Sequence, residues 1–165
     1  MERFLPSDIN SDNFKKILDY GGEGGKGIPP LLRKSDCYVY DISTTVPEDY
    51  ATKIQDINGY GKFDFISVLW VLEHVSYPND IIQEIKQVCT KDTVILLTVP
   101  LETIDETHPP RFNTSFHEHI NFFTSHSTET LMKRNGFSII KMELIDTEFP
   151  NGTDRSIFVL AKPNW

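Results

Sequence analysis

The sequence predicts an α/β domain built on a doubly wound, mostly parallel sheet of about seven strands, with one antiparallel strand in the edge region. Three observations predict it. Short apolar runs of strand length alternate with segments of helical periodicity from Ile17 to Ala161. The run Phe63–Leu69 (FDFISVL) is almost continuously apolar, as a strand covered on both faces must be. Two late apolar runs are separated by Asn151-Gly152, a turn pair that suits an antiparallel hairpin.

The elements follow in order. Residues 1–16 are a mostly polar lead-in with Phe4, Leu5, Ile9 and Phe14 as scattered apolar anchors. Ile17–Tyr20 is the expected first strand. Lys26–Lys34 is expected as a short helix, with Pro29 and Pro30 confined to its first turns. Cys37–Asp41 is the second strand. Thr52–Ile57 is a weak third strand, ending near the Asn58-Gly59 turn signal. After the Phe63–Leu69 strand, Ile81, Ile82, Ile85 and Val88 recur at helical spacing behind Pro78, placing a helix over Asn79–Cys89. Thr93–Val99 (TVILLTV) is the strongest strand, stopped by Pro100. Residues 101–124 form an insert, irregular through Asn121 and rich in Pro, Thr and His; a segment of that kind in a small domain usually carries function. Ser127–Asn135 is a helix closed by Gly136. Phe137–Leu144 and Ser156–Ala161 are the closing strands.

Bulk properties bound the function. A chain of 165 residues, 39% hydrophobic and 24% charged, forms one domain with its own core. The net charge of -8 offers no basic block for a nucleic-acid backbone, so no nucleic-acid partner is expected. No apolar run reaches the length of a membrane span and no signal-peptide pattern opens the chain, so the expected compartment is the cytoplasm. Cys37 and Cys89 lie inside apolar runs and read as small buried hydrophobes.

The densest signal is Ile17-Leu18-Asp19-Tyr20-Gly21-Gly22-Glu23-Gly24-Gly25-Lys26-Gly27, with five glycines within seven positions, followed by Asp41 at the end of the second strand. Glycines at a strand-to-helix turn admit a ligand close to the backbone, and an acid tipping the next strand can accept both protons of a ribose diol. The pattern points to a nucleoside-containing cofactor. A P-loop is excluded, because Gly25-Lys26 is preceded five back by Tyr20 and followed by Gly27. A dinucleotide turn remains open: Gly22, Gly24 and Gly27 satisfy G-x-G-x-x-G.

Taken in order, Asp-x-Gly at the first strand, acids after the second and third, Phe63-Asp64 leading into Leu72-Glu73-His74-Val75, Lys133-Arg134-Asn135-Gly136-Phe137, and the late His117-Glu118-His119 segment followed by Phe122-Phe123-Thr124 resemble the class I S-adenosylmethionine-dependent methyltransferases, whose sheet is Rossmann-like. The resemblance runs from about Ile17 to Ala161. It implies S-adenosyl-L-methionine as cofactor. Asp19, Gly21, Gly22 and Gly25 would hold its methionine part and Asp41, with Ile42 beside it, the ribose. Asp56 and Ile57 would hold the adenine, and Leu69 and Trp70 would flank the sulfonium. It implies a small-molecule acceptor, with a saccharide or related metabolite favoured by the His-Glu-His segment, where His119 would be the base and Glu118 would orient it. Where this chain has Glu23 the family usually has glycine. A carboxylate there must turn outward to spare the cofactor.

A metal is not expected. His108, His117, His119 and His126 are numerous, but ligation needs a shared face and a third ligand that sequence does not reveal. His74 is expected as a packed residue in a turn. Because few residues precede the first strand, the site is expected to be open, completed by a second copy in a homodimer, or part of a longer protein. Two rival readings stand beside the methyltransferase: an NAD(P)-dependent oxidoreductase, and a non-catalytic binding protein on the same fold.

Overall fold

The structure, a computed structural model, describes residues 11–101, 119–149 and 152–165. Its centre is one seven-stranded sheet in the order β3-β2-β1-β4-β5-β7-β6. The strands are β1 (Lys16–Tyr20), β2 (Asp36–Tyr40), β3 (Ala51–Ile54), β4 (Phe63–Leu69), β5 (Cys89–Pro100), β6 (Phe137–Phe149) and β7 (Gly152–Pro163). The first five run parallel, and β7 is antiparallel to both β5 and β6. This is the Rossmann-like sheet with a reversed strand next to one edge that the sequence predicts.

Alternating side chains make two apolar faces. Leu18, Ile66, Val68, Ile95 and Leu97 pack on one face under helices α1 (Pro78–Gln87) and α2 (Ser125–Arg134). Ile17, Phe65, Val94, Leu96 and Leu160 pack on the other with Phe14, Ile28 and Leu32. Each helix buries a narrow stripe, Ile82 and Ile85 in α1 and Met132 in α2. The second helix starts two residues before the sequence indicates because Thr124 caps it: its hydroxyl accepts from the Ser127 N–H, and Ser127 returns a bond to the Thr124 N–H.

Two expected elements are corrected. The helix expected over Lys26–Lys34 is reduced to a single 3-10 turn, Pro30–Leu32. Pro29 precedes a second proline, which drives it out of the helical region to φ -54 and ψ 135, so a helix cannot propagate through it. The third strand stops at Ile54, short of Asp56. There the Asp56 carboxylate accepts the Asn58 N–H at 2.9 Å and turns the chain into a 3-10 turn instead.

The closing hairpin is longer than its apolar pattern. Lys141, Glu143, Asp146 and Arg155 interrupt the hydrophobic run, yet they pair with one another, Lys141 with Glu143 along β6 at 3.0 Å and Arg155 with Asp146 across the strands through two bonds of 2.6 and 3.0 Å. The Asn151-Gly152 turn lies partly outside the described residues. Among those residues no helix is long and apolar enough to cross a membrane.

Candidate active site

The chain leaves β1 toward β2 on one side and returns to β4 on the other, so the ends of β1 and β4 diverge at a topological switch point, where open α/β sheets bind ligands. A crevice of about 520 Å³ opens there, between Tyr20 and Gly21 at the end of β1, Tyr40, Asp41 and Ile42 at the end of β2, and Trp70, Val71 and His74 after β4; Ile81 and Glu84 of α1 close its far wall. That volume suits a nucleoside-sized ligand.

The glycine turn is built around Asp19. Its carboxylate is fully buried; it accepts the Gly27 N–H at 3.0 Å and the Ser67 hydroxyl at 2.8 Å. Parallel pairing sets Asp19 opposite Ser67, which is why the hydroxyl arrives there. Gly22 and Gly27 are glycines because a Cβ at either would land in that carboxylate. Gly21 turns the chain at φ +69, with the Val71 side chain packed where its Cβ would lie. Asp19 therefore braces the loop from beneath instead of standing in the crevice.

Burial pushes the Asp19 carboxyl up to about 6, although the Ser67 and Gly27 bonds pull it down and the Asp41 charge adds to the rise. Because the folded value lies above the unfolded one, this group's contribution to stability is full below pH 3.8 and is lost as pH rises through about 6. Asp19→Asn is thus expected to remove a pH-dependent component. In chemical denaturation, the wild type minus variant stability should fall between about pH 4 and pH 6 and be level above it. A difference independent of pH would contradict this.

Asp41 is poised as an acceptor. Its Oδ2 takes the Glu23 N–H at 2.9 Å and its Oδ1 the Ser43 N–H at 2.6 Å. Partial burial opposes its ionisation, but the bonds from Ser43 and Glu23 and the charge of Lys53 outweigh it and hold the carboxyl below its ordinary value. A carboxylate has lone pairs for more than two donors, so capacity remains for a diol. Ile42 beside it is 100% exposed, an apolar side chain standing open at the crevice. Glu23 occupies the left-handed region at φ 49, and its carboxylate turns outward to accept the Thr45 hydroxyl at 3.2 Å. That is the orientation the cofactor reading requires.

The other expected residues separate. Trp70 lines the crevice at φ 53, another left-handed backbone, with its indole N–H donating to Ser156 at 3.3 Å and its ring edge-on to Phe158. A bulky residue held in that region marks a constrained site. Leu69 points away and packs on the second apolar face, Gly22 and Gly25 shape the turn from behind, and Ile57 is buried in the core. Asp56 is exposed beyond β3; burial raises the Tyr40 phenol above its ordinary value, and the charges of Glu84 and then Asp56 add to the rise.

His119 is brought against His74, a crevice residue, by a clasp that sequence did not reveal. The Ile120 and Asn121 N–H groups both donate to the Glu73 carbonyl, at 2.8 and 3.1 Å. The Asn121 amide reaches back to the carbonyls of Leu72 at 3.1 Å and Val75 at 2.5 Å. The His119 and His74 rings consequently meet edge to face at 4.9 Å. Glu118 and His117 lie outside the described residues. Sequence reading also passed over Tyr20, Tyr40 and Glu84: the two phenol rings sit 5.1 Å apart, and the Tyr20 hydroxyl donates to Glu84 at 2.5 Å. Each tyrosine ends a strand that runs toward the crevice, but alternation lets a last side chain face either side, as Leu69 does at the end of β4.

A model of the methyltransferase-domain family matches residues 1–142. No curated protein sequence matches the chain at a significant level. Among solved structures, 1,6-didemethyltoxoflavin-N1-methyltransferase of Burkholderia thailandensis, with 1,6-didemethyltoxoflavin and S-adenosylhomocysteine bound, superposes with a TM-score of 0.70 at 11% identity. The match covers 93% of this chain and 73% of that one. Magnesium protoporphyrin IX methyltransferase of Synechocystis PCC 6803, with bound S-adenosylhomocysteine, gives 0.62 at 18% identity over 90% and 74%. LepI in complex with S-adenosylmethionine gives 0.67 at 14% identity, covering 98% of this chain but 46% of that protein, so this chain spans under half its length. At such identities the likeness is one of fold.

Proposed function

Because this chain belongs to the class I S-adenosylmethionine-dependent methyltransferase family, we propose that it transfers a methyl group from S-adenosylmethionine to a small-molecule acceptor. The observation that carries this is the switch-point crevice, where the Asp41 carboxylate, the exposed Ile42 side chain and the Gly21 turn converge on one space. Asp41 offers its oxygens to a ribose diol and Ile42 an apolar surface to a base. Tyr40 walls the same end, with Asp56 beyond it for the adenine amine and Ile57 supporting from the core. The turn from Gly21 to Gly25, braced by Asp19, receives the methionine part. The cofactor supplies an electrophilic methyl on a sulfonium. An acidic crevice with the Trp70 ring at its mouth suits that positive charge.

The chain's own task is mostly positioning. The acceptor lies over the end of β4, between Trp70 and the histidine pair, and His119 takes its proton as the methyl bond forms; Glu118 is the proposed orienting partner. A hydroxyl-bearing acceptor of saccharide type is favoured on the His-Glu-His resemblance. The test is transfer of labelled methyl groups from S-adenosylmethionine to a panel of hydroxylated small molecules. His119→Ala should lower turnover by about 10²–10⁴-fold while leaving cofactor affinity in place. Equal turnover by wild type and variant would remove His119 from this role.

Glu23 also bears on the reading. Since its side chain points to Thr45, Glu23→Gly should leave S-adenosylhomocysteine affinity within about threefold by calorimetry, under 1 kcal/mol. A large gain would mean that the native loop obstructs the cofactor and would favour a non-catalytic protein on this fold.

A further inference from the structure

We propose that Glu73, His74 and His119 form a binding site for one divalent transition-metal cation at the acceptor end of the crevice. Two imidazoles and a carboxylate are the donor set of open, catalytic zinc sites and of two-histidine-one-carboxylate iron sites, which keep a coordination position free. One ligand atom from each of the three lies within 4.8 Å of both others. The His74 Nε2 to Glu73 Oε1 distance is already 3.9 Å. Donors around a tetrahedral zinc stand roughly 3.4 Å apart, so the trio closes on a cation through side-chain rotation, without backbone movement.

Three further features favour a cation there. The Glu73 side chain is 1% exposed, so its surroundings fix where its carboxylate stands and give the site one ligand of settled position. His74, at 40% exposure, leaves the third side of the site facing the crevice and solvent, which supplies an entry path. The ligands also sit on two loops that cannot drift apart, because Asn121 and the Ile120 N–H clasp the 119–121 segment to the turn Leu72–Val75. This supplies the shared face and third ligand that the sequence alone leaves undefined. It also turns His74 from a packed turn residue into a ligand.

Binding of the cation does not depend on the methyltransferase reading; its consequence does. With the cation in place, His119 is a ligand, and an acceptor hydroxyl at the open position is acidified by the metal and loses its proton to solvent. Without it, His119 is the proton acceptor.

The test is titration of chelator-treated, cofactor-free protein with Co²⁺, followed by its visible ligand-field absorption, and with Zn²⁺ by calorimetry, at about pH 7.5. The expected result is one equivalent bound, weakened on the order of 100-fold in His74→Ala and His119→Ala and also reduced in the isosteric Glu73→Gln, with His126→Ala unchanged. Circular dichroism of each variant establishes that the fold is retained. Absence of both the absorption band and the heat of binding in the wild type would overturn the proposal. So would binding that survives in both histidine variants. S-adenosylhomocysteine titration of the same sample separates the two readings: cobalt binding without it sinks methyl transfer alone, and the reverse sinks the metal site alone.

Discussion

Asp41→Ala is expected to weaken S-adenosylhomocysteine binding by about 100-fold, near 3 kcal/mol, as the charge-assisted pair of hydrogen bonds we propose for a ribose diol is removed. The effect has two parts, because the same carboxylate accepts the Glu23 and Ser43 N–H groups and so holds the glycine turn against the end of β2. Asp41→Asn separates them. It keeps one acceptor oxygen for the loop, so it should lose less thermal stability than Asp41→Ala, but it loses the charge and sets an amide NH2 against one of the two loop N–H groups, so it should still bind poorly. Calorimetry with both variants, alongside thermal denaturation, measures this. Wild-type affinity in Asp41→Ala would move the ribose site elsewhere.

The second large effect is expected at Gly22. A Cβ there falls within the Asp19 carboxylate, which cannot retreat because it is fully buried and held by Gly27 and Ser67. Gly22→Ala should therefore destabilise by about 2–4 kcal/mol, lowering the melting temperature on the order of 5–10 °C, and should abolish cofactor binding by displacing the turn. Gly24→Ala is the internal comparison. Its Cβ would meet only the Thr45 methyl, at an ordinary 3.9 Å, so stability should change little. Combining Gly22→Ala with Asp19→Ala should cost less than the sum of the two, since each removes one side of the same clash. Equal effects of Gly22→Ala and Gly24→Ala would mean that Asp19 does not fill the space beneath the turn.

What the sequence made legible follows from where its signals are local. The Phe63–Leu69 strand is observed at its predicted bounds because a strand covered on both faces must be apolar throughout. That the glycines would turn the chain after the first strand was equally legible, as Gly21 and Gly25 do at φ 69 and 86. The absent helix at Lys26–Lys34 was misjudged by treating the two prolines as tolerable at a helix start, when the second forces the first into an extended conformation. Long-range contacts were not legible. Nothing near Asp19 in sequence announces that Ser67 will satisfy it, which places it under the loop and not in the crevice. Likewise Asn121 gives no sign that it will bond to Leu72 and Val75 and carry His119 to His74.

The measurement that tests the central claim most directly is calorimetric titration of the purified protein with S-adenosylhomocysteine, with NADH as comparison. Micromolar binding of S-adenosylhomocysteine at one site per chain, lost in Asp41→Ala, is the predicted result. Binding of NADH alone, or of neither ligand, would contradict the account.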